Sequence, residues 1–301
     1  MKNQVTKYII AFCGLFYLIF AGCDGSSSES GPETDMVDSG SWYETGFTPW
    51  PHDGNPYESE NFVIYSDAAS INARQLLSQI CEDAFLIIVE KLGLTDLSIL
   101  RFPDYRNNKI HIYAYKNYTP TDWGGQAYYG GYLIYSPDHP EHTEWGHTAL
   151  ENYIPLVKHE MVHTVQTLII GANDERLYSW FAEGIAIEIS GDDFYTKIDS
   201  QAEFDDLIST WGSYNPISIH HSWTYPEIEG IGSAYLYPMF WLAVRYLTDP
   251  FGQGGTFYDV RDVIIDASNG VPFTTSLGNR FGISYTEYEI QFFDLMNDYL
   301  S

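Results

Sequence analysis

Residues 159 to 163 read His-Glu-Met-Val-His, inside an apolar-periodic stretch that runs from Pro155 to Ile170 and stops at Gly171. Apolar residues at helical spacing predict an amphipathic helix, with a proline suited to its first turn and a glycine to its end. Positions i and i+4 of a helix project from one face, so His159 and His163 can offer two imidazoles to one ion. Glu160 sits one residue round, within reach of a water on that ion. Two donors are too few for a catalytic zinc, which takes three protein ligands and keeps a fourth position open. The third is expected at Glu183. Ser179-Trp180-Phe181-Ala182-Glu183-Gly184-Ile185-Ala186 reads as the opening of a second helix, closed by Gly191. Running antiparallel to the first, it would bring Glu183 to the ion, and the cofactor expected is one Zn2+.

The chain around these motifs reads as α+β: a small N-terminal mixed sheet with one long helix, then a mostly helical C-terminal part, with the zinc site between them. Asn61 to Tyr65 reads as a strand and Ala68 to Leu92 as an amphipathic helix, whose stripe Leu77, Ile80, Cys81, Ala84, Ile88 and Leu92 ends before Gly93. Cys81 is expected as a small core residue. Lys109 to Tyr115 alternates like a second strand and makes His111 a strand-face histidine. Gly124 to Tyr135 is glycine-rich and β-prone, as a sheet edge that meets another chain would be, and its central Gly130-Gly131 suggests a bend or a close backbone approach. From Asn152 onward the pattern is helical. The sheet-rich part is expected at about 60–148 and the helical part at about 149–301, together forming one domain over 46–301.

The amino terminus has a different character. Lys2 and Lys7 precede an apolar run from Tyr8 to Ala21, short for a membrane span and ordinary for a signal peptide. The run ends in Phe20-Ala21-Gly22-Cys23, similar to a bacterial lipobox except that Phe20 stands where leucine is usual. Residues 1–22 are therefore expected to be a lipoprotein signal peptide, with Cys23 acylated and inserted in a lipid bilayer. Residues 23–45 follow as a flexible acidic tether with little to bury. Cys81 is the third of three cysteines, which leaves no disulfide framework for the body of the chain. The formal charge of −27 would repel a phosphate backbone, so nucleic acid is not an expected partner.

His159-Glu160-x-x-His163, followed by Trp180-Phe181-Ala182-Glu183-Gly184-Ile185-Ala186, resembles the gluzincin zinc metallopeptidases of the peptidase MA-like superfamily. The likeness covers about residues 60 to 300, and Phe281-Gly282-Ile283-Ser284 with the helix after it looks like the closing segment of that family. The resemblance implies zinc binding by His159, His163 and Glu183, with Glu160 as general base. It makes Gly125, Gln126, Ala127 and Tyr128 a substrate-edge strand, along which an extended peptide adds through main-chain hydrogen bonds, a donor at Ala127 among them. It also implies an oxyanion-stabilising tyrosine in Tyr237 to Leu247, with Tyr237 chosen and Tyr235 beside it. Four residues past the last ligand, where such enzymes carry a supporting acid, this chain has Ile187; the adjacent Glu188 could serve only if the helix were turned. His220 and His221, and His139, His142 and His147, fall in polar connections without an assigned role.

These readings lead to a zinc-dependent peptidase anchored by lipid in a bacterial cell envelope, acting on a peptide or protein substrate. The rival is a non-catalytic surface lipoprotein that keeps the fold and holds peptide or glycan in an aromatic cleft. A structural zinc protein fits less well, because structural sites are closed by four cysteine or histidine donors.

Overall fold

The computed structural model describes residues 56–66, 71–102, 108–115, 125–128, 131–135, 147–171, 176–191, 197–212, 214–219 and 233–301. The expected signal peptide, Cys23 and the tether lie outside these residues, as do His139, His142, His220 and His221. Among the described residues no helix is long and apolar enough to cross a membrane.

The fold is α+β, with the sheet built first and the helices after it. Strands β1 (Tyr57–Glu58), β2 (Phe62–Ser66), β3 (Ile110–Tyr115), β4 (Gly125–Tyr128) and β5 (Gly131–Tyr135) form one mixed sheet in the order β1-β2-β3-β5-β4. The central pairs β2–β3 and β3–β5 are parallel, and the outer pairs β1–β2 and β4–β5 are antiparallel. Helix α1 (Ile71–Lys91) carries the chain from β2 to β3, because parallel neighbours need a crossover. Phe62, Val63 and Ile64 of β2 and Ile110, His111, Ile112 and Tyr113 of β3 are all buried. Burial on both faces is usual for parallel strands, and it explains why His111 sits in the interior beside the Tyr65 and Tyr113 rings although its sequence alternates.

The glycine-rich stretch, with a bend expected at its centre, is a hairpin of two strands. β4 and β5 pair antiparallel with Tyr128 opposite Gly131 and Ala127 opposite Tyr132. β5 lies inside the sheet and β4 at its border.

After the sheet come α2 (His147–Ile170), α3 (Ser179–Ser190), α4 (Gln201–Trp211), α5 (Ser233–Thr248), α6 (Phe257–Ser268), α7 (Phe273–Phe281) and α8 (Tyr285–Leu300). The helix carrying His159 and His163 does not begin at Pro155 or Asn152. It starts at His147, and Pro155 lies inside it. A proline in a helix interior loses one backbone hydrogen bond and tends to kink the helix, at a cost of about 3 kcal/mol. Here α2 packs against β4, β5, α1, α3 and α6, so its burial offsets that loss. Helices α3 and α5 are apolar nearly all round, as central helices are. Trp180, fully buried at the start of α3, meets the rings of Phe181, Phe273 and Tyr288 edge-on at 5.5 to 5.9 Å and so anchors α3 to α7 and α8. Cys81 is buried on α1.

Candidate metal centre

His159 and His163 lie one turn apart on α2, and Glu183 lies in the second turn of α3, which packs against α2. Their inner atoms converge. His159 Nε2 stands 3.2 Å from Glu183 Oε2, His163 Nε2 stands 3.3 Å from the same oxygen, and the two Nε2 atoms are 3.2 Å apart. One ligating atom from each residue thus meets in a near-equilateral triangle, and the group could hold a metal ion. The side chains are 8, 17 and 17% exposed for His159, His163 and Glu183, so the triangle is sheltered yet not sealed.

The electrostatics follow from burial and closeness. Burial works to raise the Glu183 carboxyl, but the facing His163 and His159 imidazoles outweigh it and hold the group well below the usual carboxylate range. For His163, burial works to lower the imidazole, and the Glu183 carboxylate reverses the sign and raises it. Glu160 behaves differently. Burial raises its carboxyl above the usual range, although the two histidines and a hydrogen bond from the Ala127 backbone N–H pull the other way.

That last bond joins the sheet to the site. Residues along an antiparallel strand alternate between facing their partner strand and facing away. The Ala127 N–H goes to Glu160, so at Ala127 the backbone faces away from β5, and at Gly125, two residues earlier, it does the same. Among the described residues β4 has a strand on one side only. Among the described residues, Gly125, Gln126, Ala127 and Tyr128 therefore form a border strand beside Glu160, but the Ala127 donor expected for a peptide is already given to Glu160.

Gly184, next to Glu183, is where α3 and α5 cross. A Cβ there would stand 2.3 Å from the Phe240 carbonyl oxygen and 2.6 Å from a Val244 methyl. Tyr237 sits in α5 one turn before Phe240, on the approach to this crossing. Tyr235 is committed elsewhere: fully buried, it donates its hydroxyl to the Tyr214 carbonyl at 2.6 Å.

Glu188 does not reach the histidines, since its carboxylate accepts from the Trp241 indole N–H. A residue outside both motifs, Gln166, takes the supporting place, with Oε1 at 3.0 Å from His163 Nδ1. The helical spacing places Gln166 three residues past His163, which was a legible sign, although a supporting carboxylate was the residue type expected. Compared with known proteins, the chain matches no model of a protein family and no curated relative.

Proposed function

We propose that this chain is a zinc-dependent peptidase whose centre is His159, His163 and Glu183. The carrying observation is the triangle of 3.2, 3.2 and 3.3 Å between their ligating atoms. Tetrahedral ligands at about 2.0 Å from zinc would stand about 3.3 Å from one another, and the spacing of the three atoms supports this reading. Two nitrogens and one carboxylate oxygen with partial exposure are also the donor set of a catalytic rather than a structural zinc. When bound, the ion supplies Lewis acidity, polarising a carbonyl and making water a nucleophile near neutral pH.

The remaining work falls to this chain's own groups. Glu160, one helical position from His159, takes a proton from the attacking water and returns it to the leaving amine; its raised pKa suits both halves of that task. The Ala127 N–H holds the carboxylate in place. The border of β4 receives the substrate as an extended strand through the outward groups of Gly125 and the Ala127 carbonyl. Tyr237 donates to the oxyanion, the role supported by its place beside the Gly184 crossing and by the commitment of Tyr235 to Tyr214. The resemblance to gluzincins supports the same assignment, and the Cys23 lipobox supports attachment to a bacterial envelope membrane.

Zinc content and digestion of a broad peptide library, measured on residues 24–301 and on its Glu160→Gln variant, test the reading. The amide can still accept from the Ala127 N–H, so the variant should keep its zinc and lose about 10²- to 10⁴-fold in turnover. Parental turnover in Glu160→Gln would refute the mechanism. A parent that holds zinc and cleaves nothing would favour the binding lipoprotein.

A further inference from the structure

Gln166 belongs to neither motif, yet its side chain is 3% exposed and lies between the two ligand helices. On one side its Oε1 faces His163 Nδ1 at 3.0 Å, and on the other its Nε2 donates to the Ala182 carbonyl at 3.2 Å. Ala182 immediately precedes the ligand Glu183 in α3.

These two contacts constrain each other. A backbone carbonyl only accepts, so the amide atom facing Ala182 must be the nitrogen. The atom facing His163 is then the oxygen, which also only accepts. His163 Nδ1 must therefore carry a proton, and in the neutral ring this leaves Nε2 as a bare lone pair. Nε2 is the atom that stands 3.2 Å from His159 Nε2 and 3.3 Å from Glu183 Oε2. A peptide carbonyl in α3 thus determines, through one amide, which nitrogen of a histidine in α2 can ligate.

We propose that Gln166 is a positioning residue of the metal centre: by accepting from His163 it holds that ring in the Nδ1-protonated tautomer, so that Nε2 is the nitrogen presented to the ion. The inference rests on the metal reading given above and extends it to a residue that touches no ion itself. Partners of this kind commonly contribute 10- to 100-fold to metal affinity. The competing role is a plain stitch between α2 and α3, for which the Ala182 bond alone matters.

Two substitutions separate the roles. Gln166→Leu keeps the approximate volume and removes both bonds. Gln166→Glu keeps an acceptor for His163 but has no donor for Ala182 when ionised. Zinc affinity is measured by competition with a chromophoric chelator, and the His163 Nδ1–H proton is followed by NMR for its exchange with solvent. The positioning role predicts a 10- to 100-fold weaker Kd and loss of the protected Nδ1–H signal in Gln166→Leu. It predicts an affinity within a few-fold of the parent, and a retained signal, in Gln166→Glu. Parental affinity in Gln166→Leu, or an equal loss in both variants, would overturn it. If Gln166→Leu does not fold, Gln166→Glu decides alone: retained affinity supports the role and lost affinity refutes it. A parent that takes up no zinc would refute the metal reading, and the Gln166 contact would then be judged on metal-free protein, by whether the protected Nδ1–H is present in the parent and absent from the folded variant.

Discussion

Replacing Gly184 by alanine sets two effects of opposite sign against each other. Removing a glycine from the interior of α3 favours the helix by about 1 kcal/mol, so propensity alone predicts a more stable protein. Packing predicts the reverse. The new Cβ would begin 2.3 Å from the Phe240 carbonyl oxygen, and ordinary contact starts near 3.4 Å, so α3 and α5 must part by about 1 Å. The obstacle is backbone, which cannot rotate aside as a side chain would. Overpacking typically costs 1–3 kcal/mol, and a clash against backbone belongs at the upper end, which leaves a net destabilisation of about 2 kcal/mol. For a domain of this size that lowers the melting temperature by roughly 4–8 °C. Glu183 is the neighbouring residue, so the same displacement moves one corner of the 3.2–3.3 Å triangle and weakens metal binding as well. Urea unfolding of the metal-free protein and a zinc titration measure the two consequences. A Gly184→Ala variant as stable as the parent, with unchanged zinc affinity, would show that the crossing is not close-packed as described.

Ala127→Pro should leave the sheet paired, because this N–H serves Glu160 and not β5; losing it favours protonated Glu160, so the acid limb of the kcat/KM profile should move to higher pH with zinc content unchanged, and an unmoved limb would count against the contact. Zinc uptake should release protons: His163 in the metal-free protein holds its proton to a pH above its ordinary 6.5, so affinity should rise with pH through that region and level off beyond the raised value, as titrations in buffers of different ionisation enthalpy would reveal. Zinc held at about 1,000 times its Kd should add about 4 kcal/mol of stability that a chelator removes, and a melting temperature indifferent to chelator would contradict a bound ion. Cys23→Ser should release the protein from membranes or stall its processing; a variant that is cleaved and fractionates as the parent does would refute lipid attachment.

The α+β order, the strands at Phe62–Ser66 and Ile110–Tyr115, and the helix that stops just before Gly93 were legible because side-chain periodicity is a local property. Histidines four residues apart share a helical face wherever the helix lies, which is why His159 and His163 could be paired from sequence. Gly191 closes α3 in the left-handed conformation expected of a terminal glycine. The start of α2 at His147 was not legible. A proline at 155 suits a first turn on local grounds, and only packing on five neighbouring elements carries the helix past it. The hairpin likewise hid its topology, since β4 and β5 have similar composition and differ in which one borders the sheet.

What the sequence by itself determined is the chemistry on offer: two imidazoles on one helical face, an acid beside them and a glutamate in a second helix. What only the tertiary structure decided is where these groups meet. Glu183 reaches His159 and His163 across a separation of 24 and 20 residues, the Ala127 N–H reaches Glu160 from the sheet, and Gly184 sets how closely α3 approaches α5. Glu188, the acid nearest to the expected supporting position, turns instead to Trp241, while Gln166 faces His163. The physical reason is the range of the forces involved. Helical periodicity is set by backbone geometry within a few residues, whereas the direction of a side chain on α3 toward α2 depends on how both helices pack against everything around them.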